Sequence, residues 1–266
     1  MRSAKNWKTA VRRRKETDMD VSAYFMPPEI RTARKALCIQ PHPDDIEIGM
    51  GGTAAALAAG GCLVTYLTIT NGDLGDSTGT LDFPEIAALR REETMAAGRV
   101  IGASDFLFYD LPDGSLSDIP SLAGRIAETV RTLQPDVIFC PDPWARYEAH
   151  NDHIVTGRAA AQAFLSSSLS RYPRGTQTAP WQAGAIAFYF TQKPNTVIDV
   201  TETFETKFAA MAEHRTQLNE ELLNLYRIYF SMQGRKLAEG KDFALGEGFK
   251  VLGPLHMHCF VEAPEI

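Results

Sequence analysis

An α/β fold, with a mostly parallel sheet between two layers of helices, is what this 266-residue chain predicts. Three observations carry that expectation. Short apolar runs rich in β-branched residues alternate with segments of helical period. Two charged loops directly follow two of those runs, where ligand sites lie in open α/β sheets. A hydrophobic content of 44% over this length suffices for one large core.

The elements follow in order. "KALCIQ", ending at Gln40, is a first strand and "CLVTYLTIT" (62–70) a second; between them "GTAAALAAGG" is an alanine-rich helix closed by glycine. "PEIAALRREETMAAGRVIG" reads as an amphipathic helix, "DFLFYDL" as a strand, "LAGRIAETVRTLQP" as a helix ended by proline, and "DVIFCP" as a buried strand. "HIVTGRAAAQAFLSS" is a further helix, followed by the strands "AIAFYF" and "NTVIDV". After Asp199 comes a long helical stretch with a break near 214–219, and "KVLGPLHMHCFVEA" reads as an extended tail. These segments predict a Rossmann-like three-layer catalytic core over 34–200. A basic arm, 1–33, precedes it, and helices plus an extended tail over 201–266 complete the same domain.

Composition excludes several classes. The formal charge is −6, and ten of the 27 Lys/Arg but only four of the 33 Asp/Glu fall at or before Lys35, so the body is acidic and unsuited to general nucleic-acid binding. The arm lacks the apolar centre and cleavage site of a secretory signal. Residues 48–72 carry no charge, but Gly49, Gly51, Gly52, Gly60 and Gly61, with Thr65, Thr68 and Thr70, divide them into a helix and a strand, which argues against a membrane span. Cys38, Cys62, Cys140 and Cys259 are far apart and mostly inside apolar runs. They read as buried thiols of a cytoplasmic protein rather than a disulfide framework.

"QPHPDDIEIGMGGT" (40–53) gathers a histidine, two aspartates and a glutamate where the first strand ends. A phosphate cradle is disfavoured, because the glycines follow an anionic segment and no P-loop lysine is present. Metal chemistry fits better. His42 and Asp45 offer an imidazole and a carboxylate within one turn, and His153, in "PDPWARYEAHNDH" after the fourth strand, supplies a third ligand. Three protein ligands with an open position is the arrangement of catalytic zinc, with iron, manganese or magnesium as alternatives. Asp44 is left over as a general base, and His150 faces the site with Asp152 holding its ring.

"PHPDDIEIGMGGT" resembles the first signature of the LmbE/PIG-L family of zinc-dependent N-deacetylases, and "HNDH" resembles its second. The likeness covers about 36–165 and implies one zinc per chain on His42, Asp45 and His153, with Asp44 as base. It further implies that His150 stabilises the oxyanion and assists departure of the amine, with Asp152 as its orienter. Arg90 matches a sugar-contacting arginine, against the alternative of a helix-surface pair with Glu93. Asn71 and Asp73 occupy a loop that shapes the pocket in relatives. Trp144 and Tyr147 stand beside the second motif, either stacking on a sugar or packing the wall.

"LHMHCF" and the second motif look similar to the diacetylchitobiose deacetylase branch. There a histidine near the C-terminus reaches the site, a role that falls here to His258 or to His256, on the same side of an extended strand. The resemblance implies removal of an N-acetyl group from a GlcNAc-containing small molecule or short chitooligosaccharide. It also implies a trimeric or hexameric homo-oligomer without nucleic-acid or membrane partners. The alternatives are an amidase for larger N-acyl or thiol-conjugated amino sugars and an inactive sugar- or metal-binding module.

Overall fold

The computed structural model describes residues 25–76 and 78–266, so residues 1–24 of the expected arm lie outside it. Seven strands form one sheet: β1 (Lys35–Gln40), β2 (Leu63–Thr70), β3 (Asp105–Leu111), β4 (Val137–Pro141), β5 (Ala185–Tyr189), β6 (Thr196–Asp199) and β7 (Gly246–Leu252). Their order is β3-β2-β1-β4-β5-β7-β6. β1 to β5 pair in parallel, and β7 runs antiparallel between β5 and β6. The chain winds outward from β1 to β3, then restarts beside β1 with β4. That reversal opens a crevice beyond the carboxyl ends of β1 and β4.

Both faces of the sheet are covered, which is why the central strands read as unbroken apolar runs. On one face Cys38, Tyr66 and Phe139 pack with residues of α1 (Asp45–Ala59), α2 (Phe83–Ile101) and α5 (Phe204–Met211). On the other, Leu37, Ile39 and Ile138 meet α3 (Ile119–Leu133) and α4 (Asn151–Ser166). Neighbours in β1 thus serve opposite layers, as a period of two requires. A smaller cluster joins α5 to α6 (Glu220–Leu237) and reaches Ile48.

Helices α2 and α6 start with ordinary side-chain caps. Asp82 and Glu85 form a capping box on α2, which stops at left-handed Gly102, and Asn219 accepts from Leu222 N–H to start α6. By contrast α1 begins without a side-chain cap from Asp44, and Gln40 Oε1 instead accepts from Ile46 N–H at 3.1 Å. The Asp44 carboxylate is thereby spared from capping.

α1 is also interrupted at Met50. Past the break, Glu247 of β7 accepts from Gly52 N–H at 3.2 Å and Thr53 N–H at 2.7 Å, acting as cap for the second half. Lys207 neutralises it at 2.7 Å and donates to the Ile48 carbonyl at 2.9 Å. Glu247→Ala would leave a buried ammonium unpaired, and unfolding in denaturant is expected to show a loss of about 3–5 kcal/mol.

Two expectations need correction. The tail is not extended throughout: β7 ends at Leu252, and Pro254–Met257 forms a 3-10 turn. Proline at its start cannot donate to a sheet ladder, so the strand stops there. His256 and His258 therefore share no strand face. Cys259 is exposed, while Cys38, Cys62 and Cys140 are buried as expected. The helical break falls between α5 and α6 as anticipated.

Candidate metal centre

The two charged loops meet in the crevice. His42 ends the loop after β1, Asp44 and Asp45 open α1, and His153 lies in the first turn of α4 after β4. Asp45 bridges the imidazoles: its Oδ2 lies 3.3 Å from His42 Nδ1, and its Oδ1 lies 3.3 Å from His153 Nε2. Asp45 Oδ2 also accepts from His42 N–H at 2.9 Å, which fixes the carboxylate. Bonds of 2.0–2.1 Å around a tetrahedral ion put ligand atoms about 3.3 Å apart. The two 3.3 Å contacts involve different oxygens of Asp45, so it is the residue types, two imidazoles and one carboxylate, and their convergence that suit a zinc-like divalent ion. The His42, Asp45 and His153 ligating atoms all lie within 4.8 Å of one another.

The outer nitrogen of each histidine faces a carboxylate, the usual support for a metal ligand. His42 Nε2 is 3.1 Å from Asp113 Oδ1 and 3.5 Å from Asp152 Oδ2; His153 Nδ1 is 3.4 Å from Glu148 Oε2. His42, Asp113 and His150 form a second possible grouping, which shares His42 with the first.

So much negative charge in a buried space asks for a cation. Burial alone would lower the His42 pKa, but Asp113, Asp152 and Asp45 outweigh it and push it up to about 12. Burial likewise works against the His153 cation, yet Asp45 raises its pKa overall. Asp44 behaves differently from its neighbour. Burial pushes its carboxyl up to about 6, with Arg90 pulling it back and the charge of Asp45 adding to the rise. Its backbone is held at φ 129°, a region costing a non-glycine residue about 1–3 kcal/mol. His150 is exposed, and burial together with the charges of His42 and His153 lowers its pKa.

Similarity to known proteins accords with this geometry. The PIG-L family model, described as GlcNAc-PI de-N-acetylase, matches residues 37–164. The diacetylchitobiose deacetylase of Thermococcus kodakarensis is 33% identical over 224 residues, covering 80% of this chain and 84% of the relative. This chain belongs to the PIG-L family. Among solved structures, the N,N'-diacetylchitobiose deacetylase of Pyrococcus horikoshii, complexed with an inhibitor, superposes with a TM-score of 0.85 at 31% identity. It covers 93% of this PIG-L chain and 94% of its own. A deacetylase of Kineococcus radiotolerans, named for 1D-myo-inositol 2-acetamido-2-deoxy-alpha-D-glucopyranoside, is 28% identical over 63% of this chain and 56% of the relative.

The remaining expected residues of this PIG-L site divide into those at the cluster and those away from it. Arg90 is buried at the cluster: it donates to the Pro43 carbonyl at 2.6 Å and the Gly72 carbonyl at 3.1 Å, and lies 3.2 Å from Asp44 Oδ2. The helix-surface alternative fails, because Glu93 instead accepts from the Thr216 N–H and hydroxyl. Only glycine suits position 72, where φ is 68° and a Cβ would stand 2.5 Å from Arg90 Nη1.

Asn71 and Asp73 form a brace. Asn71 Nδ2 donates to Asp73 Oδ2 at 3.2 Å, and Asp73 Oδ1 accepts from Asp113 N–H at 3.0 Å. Asp152 is a correction. It makes no hydrogen bond to His150; its carboxylate accepts from Gly114 N–H at 2.8 Å and Leu116 N–H at 3.2 Å, and faces His42. At the second position of α4 it is fully buried under the 113–116 loop, whereas the His150 ring stacks on His153 at 5.0 Å.

Trp144 is wedged between Phe188 and Arg158, and Tyr147 is 89% exposed with φ 73°. The rings that stack on the cluster histidines are each other's and that of Phe190, not these two. His258 is exposed beside Cys259, and buried His256 accepts from Gly253 N–H, so within one chain neither joins the metal ligands.

Asp113, Glu148 and Phe190 were not singled out from the sequence. Asp113 follows a strand end, the same signal that marked His42. Glu148 lay inside the second motif without a recognised role. The Phe190 ring is nearly parallel to His153, at 9° and 6.0 Å, which only the fold discloses.

Proposed function

We propose that this protein is a zinc-dependent hydrolase that removes the N-acetyl group of a GlcNAc-containing small molecule or short chitooligosaccharide, such as diacetylchitobiose, releasing acetate and a free amino sugar. One observation carries this reading: of two consecutive acids, Asp45 is engaged by both imidazoles while Asp44 is turned aside onto Arg90. A binding module needs the first arrangement only. Hydrolysis needs the second as well.

His42, Asp45 and His153 would hold the ion. When bound, it supplies Lewis acidity and lowers the pKa of water to about 7. Asp44 accepts the proton of the attacking water, and its raised pKa suits that exchange near neutrality. Arg90 holds the Asp44 carboxylate at 3.2 Å. His150, at the exposed edge of the cluster, would donate a ring N–H to the oxygen on which charge develops. A donor of this kind contributes a few kcal/mol. Protonation of the departing nitrogen falls to Asp44 or His150.

A base must be ionised to work, so the rate is full above the Asp44 pKa and falls as pH drops through it. The positive ion draws that pKa down. The acid limb of kcat/KM is therefore expected at or below pH 6, with a tenfold fall per unit beneath it, measured by acetate release. An acid limb above pH 7 would contradict Asp44 as base.

The reaction itself is tested by acetate release from GlcNAc, diacetylchitobiose, GlcNAc-inositol and GlcNAc-malate, using metal-assayed protein. Turnover of at least one supports the reading. Faster cleavage of longer N-acyl groups than of acetyl would move the assignment to a broader amidase.

A further inference from the structure

We propose that the outer face of helix α6 is a docking surface for a second copy of this chain, the two α6 helices packing antiparallel about a two-fold axis that passes between Ile228 and Tyr229. The inference does not depend on the activity proposed above.

α6 is apolar on two faces. Leu222, Leu223, Tyr226 and Phe230 turn inward and pack on the small cluster that includes Phe204 and Phe208 of α5. The opposite side of a surface helix is ordinarily polar. Here it carries Leu225, Ile228, Tyr229 and Met232, each between 54% and 67% exposed. Steps of three, four and seven residues put these four side chains in one stripe along the helix. A continuous apolar stripe marks an interaction surface, whereas apolar residues scattered singly do not.

The stripe is its own complement. An isologous two-fold contact sets one residue against a second and, by symmetry, the second against the first. With the axis between Ile228 and Tyr229, Leu225 meets the partner's Met232, Asn224 the partner's Gln233, and Glu221 the partner's Lys236. Apolar thus faces apolar, amide faces amide and acid faces base, each pair occurring twice. Glu221, Asn224, Gln233 and Lys236 are all exposed. Among the described residues neither Glu221 nor Lys236 has an ion-pair partner in its own chain, whereas nearby Arg227 is already held by Glu205 at 2.7 Å. Antiparallel alignment brings the acidic first turn of each helix, Glu220 and Glu221, beside the basic last turn of the other, Arg235 and Lys236. A parallel pairing would set each charge against its own kind. The 18 residues of α6 offer about five turns, or ~27 Å, for the contact. An anionic lipid surface would be repelled by the acidic end, so the order of charges favours a second copy.

Sedimentation equilibrium on the full chain tests this. The parent is expected to hold two chains, or another even number, per particle. Ile228→Glu, at an exposed position, places two carboxylates at the axis and is expected to halve that number with the circular dichroism spectrum unchanged. Charge exchange tests the register, and keeps the test open should Ile228→Glu unfold. Glu221→Lys and Lys236→Glu should each raise the dissociation constant about tenfold, because like charges then face each other at both ends of the contact. The double variant Glu221→Lys/Lys236→Glu restores opposite charges and should return to within about threefold of the parent. A monomeric or trimeric parent, a folded Ile228→Glu variant of unchanged assembly size, or a double variant no tighter than the single ones would overturn the proposal. A monomeric parent that floats with phosphatidylglycerol vesicles would overturn it too, and would give the stripe to a lipid surface.

Discussion

Asp44→Asn is expected to lower kcat by about three to four orders of magnitude while the protein keeps its metal. The amide has nearly the shape of the carboxylate, and the proposed ligands Asp45, His42 and His153 are untouched. What disappears is the proton acceptor. Retention of the ion follows from the geometry, since Asp44 is joined to Arg90 and not to either imidazole. Acetate release and metal content measured on the same preparation separate the two effects. A variant that lost metal in proportion to activity would mean that Asp44 is a ligand instead.

His153→Ala is expected to behave in the opposite way, losing the ion and the activity together. Removing a carboxylate behind a ligand costs about 10- to 100-fold in metal affinity, so removing the ligand itself should exceed 100-fold. Glu148→Gln supplies the comparison: Glu148 faces His153 Nδ1 at 3.4 Å, so affinity should fall within the 10- to 100-fold range. Chelator competition gives both values without reference to turnover. The predicted ranking is parent tightest, Glu148→Gln intermediate and His153→Ala weakest.

Much of this was legible in the sequence because the relevant signals are local. β1, α1 and β2 were readable from an apolar run, a glycine-closed alanine helix and a β-branched run. The rule that sites follow strand ends then pointed to His42, Asp44, Asp45 and His153. Contacts that depend on how distant loops fold against one another were not legible. Asp152 sits beside His150 in the chain, yet α4 turns its carboxylate toward Gly114 and Leu116. Asp113 reaches His42 because Asp73 holds its backbone, a link across 40 positions. The buried pair of Glu47 and His214, 3.1 Å apart, joins residues whose separate segments gave no hint of each other. The C-terminal histidines were misplaced for a simpler reason. Pro254 stops β7, and the alternation that put both on one face ends with it.

The proposed chemistry depends on where a divalent ion binds. Crystals grown with zinc and measured by anomalous scattering at the zinc edge would locate it directly. The expected result is one ion per chain, with His42, Asp45 and His153 at about 2.0–2.2 Å and the Asp44 carboxylate outside bonding distance. Zinc held instead by His42, Asp113 and His150, with His153 and Asp45 remote from it, would contradict the proposed chemistry.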